Sequence, residues 1–319
     1  MQEVSKDIFY QSIRDWEEVP FTQQDGYVRM QSGDDSSRVR YFLDEQIGCA
    51  AHVKRCLGLS LLLIDTECMR HSDIKPAVLT RFYSSLRETG ADIIEVNSRR
   101  VYQAAYETGL RQAGFRRPVG SFSYAMTNVI DLTQALSFNE NWRRNLKKAE
   151  ESGLRFLRID RPTDQDIADF MRLYREMCTH KKLPLPFAEE SIRLLLDDPH
   201  FRLCFICRGE ERLGGIIYHH VGAHAGLLYA ANGDQANEVH AGFLLYKQLL
   251  EELAKEGVKS FDMEKMGASD HSTNAVFLFK QGIRGEMAPL CGEWAWYKRP
   301  LLSIGMYFVK KHLWKKQQA

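Results

Sequence analysis

Two stretches of the chain share one pattern of apolar and polar positions. From Phe82 it reads FYSSLRETGADIIEV, and from Leu249 it reads LLEELAKEGVKSFDM. Each has apolar residues at helical spacing, then a glycine (Gly90 or Gly257), then an apolar run of strand length. The offset is 167 residues. The next element repeats as well. LRQAGFRR from Leu110 aligns with LFKQGIRG from Leu278, so that Leu110/Leu278, Gly114/Gly282 and Arg116/Arg284 coincide. Upstream, SLLLIDTE from Ser60 falls opposite LLYAANGD from Leu227. Three ordered segments at nearly constant offset indicate a duplicated unit of strand, helix, strand and helix. Such a unit predicts a mixed sheet with helices on both faces.

The second copy has more elements ahead of it. FRLCFICRGEERLGGIIYHHVGAHAGLLYAAN predicts three antiparallel strands, with turns at Arg208-Gly209-Glu210 and Gly222-Ala223-His224. A helix is expected from Asp164 to Thr179, with Asp164 at its N-cap, and another from Asn139 to Ser152. On the longer helix after Gly242, Phe243, Tyr246, Leu249, Leu250 and Leu253 make a stripe for the core. Helix, antiparallel strands, then strand–helix–strand–helix is the order of an N-acetyltransferase-like (GNAT) domain. The expected fold is therefore α/β (α+β): two tandem GNAT-like domains, each a mixed twisted sheet flanked by helices. The expected limits are 1–135, 136–297 and a tail, 298–319.

Composition narrows the class. Hydrophobic and charged fractions of 44% and 27% are those of an ordinary globular chain. With 43 basic against 42 acidic side chains there is no global nucleic-acid footprint. The N-terminus, MQEVSKDIFYQSIRDWEEV, lacks an apolar signal core, and no apolar run approaches bilayer-spanning length. A cytoplasmic protein is expected, with a peripheral contact at the inner face of the membrane left open. Seven cysteines suit a reducing compartment, and Cys204-Phe-Ile-Cys207 lies in a strand-like run, so no metal site is expected. The tail differs: 298–319 holds six Lys or Arg and no Asp or Glu, with Leu302, Met306, Val309 and Leu313 on one helical face. Two readings stay open for residues 300–319, a helix in an anionic membrane interface and a helix docked on the body.

Several of these residues are similar to those of one family. VIDLTQALSFNENWRRNLKKAEESGLRF resembles the run that joins two GNAT halves in the Fem peptidyltransferases (FemAB/FemX), at Arg144, Lys148, Ala149 and Gly153. FDMEKMGASDHSTNAVFLFKQGIRGE resembles that family's C-terminal signature, at Asp262 and at Phe279-Lys280. It departs where Met263-Glu264-Lys265 replace small residues, and where Arg284-Gly285 falls one position late. The resemblance implies an enzyme that transfers an aminoacyl or acyl group to an amine of a cell-wall (peptidoglycan) or other envelope precursor. The implied donor is aminoacyl-tRNA, or acyl-CoA as in related double-GNAT proteins, with no tightly bound cofactor.

Chemistry assigns candidate positions. An amine attacking an ester or thioester must lose a proton, and the tetrahedral oxyanion must be stabilised. GNAT folds supply the second from strand N–H groups where two parallel strands part, here along Tyr229 to Asn232. A donor phosphate would sit at the next helix N-terminus, at His240-Ala241-Gly242. DQANEVHAGFLL there keeps Gln235 and Gly242 but lacks tandem glycines. Lys280, whose repeat partner is Gln112, is a candidate for neutralising phosphate or oxyanion. Asp262 is the first candidate carboxylate and Asp270 the second. Arg144 and Lys148, one turn apart, suit an acceptor phosphate or a tRNA acceptor stem, and Arg284 is a further binding candidate. Besides the Fem-like reading, two others stay open: an acyl-CoA-dependent N-acyltransferase for a sugar or small amine, and a catalytically degenerate GNAT pair used as a binding module.

Overall fold

A computed structural model of the chain describes residues 1–56, 58–73, 75–118, 126–266 and 275–318. The chain forms two compact units, one of Met1–Ala125 with Pro289–Ala319 and one of Met126–Ala288.

The first unit opens with β1 (Gln2–Val4), α1 (Lys6–Ile13) and α2 (Asp25–Ser32). The strands β2 (Val39–Leu43), β3 (Ile47–Cys56), β4 (Leu59–Ile64) and the short β5 (Cys68–Met69) follow, then α3 (Pro76–Leu86), β6 (Ile93–Val101) and α4 (Ala104–Gln112). Neighbours in the sheet are antiparallel until β4 meets β6, which run parallel from Leu61↔Ile93 to Ile64↔Val96. Strand alternation sends Leu62, Ile64, Ile94 and Val96 to one face, where they are buried against Leu79, Phe82, Tyr83 and Leu86 of α3. The opposite face carries Glu95 and Asn97, which are only partly buried.

The second unit holds β7 (Met126–Asp131), α5 (Glu140–Glu150), β8 (Arg155–Ile159), α6 (Asp164–His180) and α7 (Glu189–Leu196). The meander β9 (Phe201–Arg208), β10 (Glu211–Val221) and β11 (His224–Asn232) comes next, followed by α8 (Asp234–Glu238), α9 (Ala241–Lys255), β12 (Ser260–Asp262) and α10 (Ala275–Gly282). β13 (Glu286–Tyr297) and α11 (Leu301–Gln318) close the chain. Leu245, Leu249, Leu250 and Leu253 of α9 pack on Ile206, Ile216 and Phe261 of the sheet. Both expected turns form, with Gly209 and Gly222 at positive φ. Burial also accounts for the C-x-x-C spacing, since Cys204 and Cys207 are core residues of β9.

The two units share one design. Their strand orders are β1-β2-β3-β4-β6-β13 and β8-β9-β10-β11-β12-β7. In each, the pairing is antiparallel except at the fourth junction, β4/β6 and β11/β12. The fold is thus α/β with two tandem GNAT-like sheets. Gly90 and Gly257 both end their helices in the left-handed region, at φ 86° and 84°.

Connectivity at the last strand differs from a sequential split near residue 135. β7 follows α4 in the chain, yet it pairs antiparallel with β12 of the second unit. β13 follows α10, yet from Leu290 to Tyr297 it pairs antiparallel with β6 of the first unit. Each half contributes its final strand to the other half's sheet. Periodicity marks both segments as strands but carries no information on their partners. The cap of α6 also differs from expectation. Thr163, not Asp164, occupies the N-cap, and Asp166 completes a capping box with it. Asp164 lies in the first turn, where its charge suits the helix dipole.

Candidate active site

The two parallel strands of the second unit part early. β11 and β12 pair only through His224↔Ser260, Ala225↔Phe261 and Gly226↔Asp262. β11 continues for six more residues to Asn232, and its ladder with β10 is irregular between Ile217 and Tyr218, where Leu228 is passed over. A bulge of this kind twists a strand and re-aims its groups. The side of β11 that faces away from β10 thus opens along Leu227 to Asn232, the segment the sequence marked with Tyr229 and Asn232.

Tyr229 is partly buried in an aromatic group with Tyr174 and Phe187, its ring 4.6 Å from that of Phe187. Asn232 lies between two glycines. A Cβ on Gly214 would stand 2.6 Å from its Oδ1, and one on Gly242 would stand 2.9 Å from its Nδ2. Gly242 therefore packs closely on the amide of the asparagine at the end of β11, a use that a phosphate-loop pattern does not encode.

His240 caps α9 in the left-handed conformation, φ 55°. Burial lowers its pKa, and Lys148 and Arg144 lower it further. Those two exposed cations of α5 therefore stand within electrostatic reach of the α9 N-terminus. Free N–H groups and the positive end of the helix dipole meet two cations and a neutral imidazole there, an arrangement suited to an anion. Arg144 also donates to Asn141 Oδ1 at 2.9 Å.

A third group sits at the carboxyl end of β12. Asp262 Oδ1 accepts the hydroxyl of Thr127 from β7 and, at 2.7 Å, the backbone N–H of Glu264. Glu264 is held at φ 60°, an uncommon conformation for a non-glycine residue. Lys280 on α10 is buried, and its Nζ donates to the carbonyls of Glu264 and Lys265 at 3.1 and 3.3 Å. Burial lowers its pKa, opposed by the charges of Glu264 and Asp262. Asn128 of β7 donates through Nδ2 to the carbonyls of Lys280 and Ile283, both at 2.8 Å. Asp262 and Lys280 thus belong to one assembly. Arg284 is exposed, and its backbone N–H donates to Ser137 O at 2.9 Å. Asp270 lies outside the described residues.

Sequence reasoning passed over the residues that hold these parts. Trp142 of α5 stacks on Phe138 at 4.6 Å and 7°, meets Phe243 of α9 and Phe279 of α10, and donates its indole N–H to Phe279 O at 3.1 Å. A Cβ on Gly282 would lie 2.3 Å from the indole, so this glycine serves close packing, whereas its repeat partner Gly114 serves a left-handed turn. Thr127 and Asn128, two polar residues opening an apolar run, were the available signal for β7.

Comparison with known proteins bears on the fold. Residues 137–271 match the family model described as an acetyltransferase (GNAT) domain. No curated protein matches the sequence. The structure entitled "Crystal structure of FemX" superposes with a TM-score of 0.74 at 11% identity, over 95% of this chain and 98% of that one. L-PGS from Bacillus licheniformis superposes with a TM-score of 0.65 at 13% identity, over 97% of each chain. A conserved protein of unknown function from Bacteroides thetaiotaomicron gives 0.63 at 7% identity, over 92% and 97%. Among the described residues, no helix is long and apolar enough to cross a membrane. The chain thus carries a GNAT domain at 137–271 inside a tandem GNAT fold similar over nearly its whole length to that of FemX, the likeness its motifs had indicated.

Proposed function

We propose that this chain is an aminoacyltransferase that moves an aminoacyl group from charged tRNA to an amine of an envelope precursor. The observation that carries this reading is the parting of β11 from β12 beside the α9 N-terminus, with Arg144, Lys148 and His240 gathered around that terminus. An ester carbonyl in the opening would meet strand N–H donors as its oxygen becomes negative. The amine attacks the carbonyl carbon, the C–O bond to the ribose breaks, and the ribose oxygen leaves with a proton. Asp262, at the last paired position of β12, is the residue to which this reading gives the proton of the attacking amine. Lys280 holds the backbone after Asp262 in place. Tyr229 and Asn232 line the opening, and Arg284 is an outlying cation for the acceptor.

Side-chain cations, rather than a glycine-rich loop, favour a nucleic-acid phosphate over the pyrophosphate of CoA, because the segment before α9 lacks tandem glycines. Peripheral contact with an anionic bilayer, through the outward face of α11, belongs to the same reading.

The test is single-turnover transfer of labelled aminoacyl groups from a total charged-tRNA pool to a UDP-linked muramyl peptide. Label should move to the peptide, and R144E/K148E should slow transfer roughly tenfold at low salt, with the loss shrinking as salt rises. Transfer from acetyl-CoA but not from tRNA would replace this reading with the acyl-CoA one. Transfer from neither would leave a binding module.

A further inference from the structure

A cavity of about 290 Å³ lies in the first unit and shares no residue with the candidate active site. It is of the size that holds a small molecule. Its floor is the sheet face turned away from α3. Register places His52 beside Leu63 and Leu63 beside Glu95, across β3, β4 and β6. Asn97 stands beside Glu293 across β6 and β13. A sheet face covered only for packing would carry apolar residues at these positions; this one carries two carboxylates, an amide and an imidazole.

The charges show what the cavity accepts. Asp65 at its rim is paired with Arg99 at 3.1 Å and accepts the Tyr27 hydroxyl at 3.3 Å. Glu95 is paired with an ammonium. Lys310 of α11 reaches down from the helix and places Nζ 3.0 Å from Glu95 Oε1, with both side chains about four-fifths covered. Burial first, and then the negative charges of Glu95 and Glu293, push the Tyr297 phenol up to about 12, so both carboxylates act on this region. His52 is held below its ordinary pKa, chiefly by burial, and its Nδ1 is buried without a hydrogen-bond partner. Lys54, on the same strand face, is exposed.

We infer that this cavity is a binding site for a ligand bearing a primary ammonium group, and that Lys310 occupies the ammonium position as an internal surrogate. The primary amine of Lys310 shows that the pocket already accommodates an alkylammonium beside Glu95, while the remaining volume exceeds what one lysine tip fills. A ligand displaces Lys310 rather than adding a charge, so the largely buried carboxylate is never left unpaired. The site goes beyond the transfer reaction proposed above and does not depend on it.

The test is calorimetric titration of the full chain with 5-aminopentan-1-ol, and with 1,5-pentanediol as a probe of the same length without the charge. K310A should bind the amino alcohol roughly tenfold more tightly than the parent, the scale of one partly screened ion pair. K310Q, which keeps most of the side chain, should behave likewise. Adding E95Q to K310A should cancel the gain, and the diol should bind none of them. Equal affinity of parent, K310A and K310Q for the amine overturns the inference, as does uptake of amino alcohol and diol alike. Unchanged melting curves show that the variants remain folded, and transfer activity is not needed for the readout.

Discussion

Lys280 shows how a single residue can stand out in sequence while its setting does not. The contrast with Gln112 at the repeat position marks it as asymmetric, but a lysine near a helix end most often snorkels to water. Here Nζ is turned inward to two carbonyls instead. Its lowered pKa has a definite consequence for stability. The native state releases the proton before the unfolded chain does, so between the lowered value and about 10.5 the unfolded chain binds more protons. Stability contributed by Lys280 therefore rises with pH across that alkaline window and is flat below it. K280M leaves two buried carbonyls unpaired and should cost about 1–3 kcal/mol at pH 7. Urea denaturation of both proteins from pH 7 to 11 should show the gap widening; a gap that narrows would mean that the native site favours the charged ammonium.

Elements were the most legible level. The 3.6-residue stripe of α9, the two glycine turns of the β9–β11 meander and the N-cap at Asn139 follow from local patterns, because local chemistry decides them. The tail shows where that legibility stops. The expected apolar face of α11 is split: Leu302 and Met306 are partly covered with Lys310, one turn apart, whereas Val309 is exposed together with Leu301, Ile304 and Phe308, Leu301 and Phe308 by 77% and 62%, and the Leu313 side chain lies outside the described residues. A hydrophobic stripe read from sequence does not say which side the body takes. Here the body takes one side and leaves an apolar side beside Lys298, Arg299 and Lys311. I304S/F308S should lower co-sedimentation with phosphatidylglycerol-containing vesicles about tenfold or more, from the lost apolar burial. Equal pelleting of parent and variant would retire the membrane contact.

For the molecule, the repeat at offset 167 foretold two matching sheets, and the sheets do match strand for strand. The exchange of last strands was not legible. β7 and β13 pair with strands far away in sequence, and local periodicity does not choose between partners. The candidate site was half legible for the same reason: Arg144, Lys148, His240 and Asp262 came from local motifs, but Thr127 and Asn128 reach Asp262 and Lys280 only through the exchanged strand. Residues 126–288 contain the complete second sheet, whereas 136–297, the span a sequential split suggests, lacks β7 and leaves an edge of β12 bare. Of these two fragments, the first should unfold cooperatively in urea and the second should aggregate or melt without a defined transition. Cooperative unfolding of both would show that β7 is dispensable to its sheet.

The exchange also sets an order of events on the ribosome. Every strand of the second sheet has been made once synthesis passes Ala288, but the first sheet lacks a member until Tyr297 has emerged. The half of the protein that is translated first is therefore the half that finishes last, and β6 must keep one flank open through the synthesis of nearly two hundred further residues.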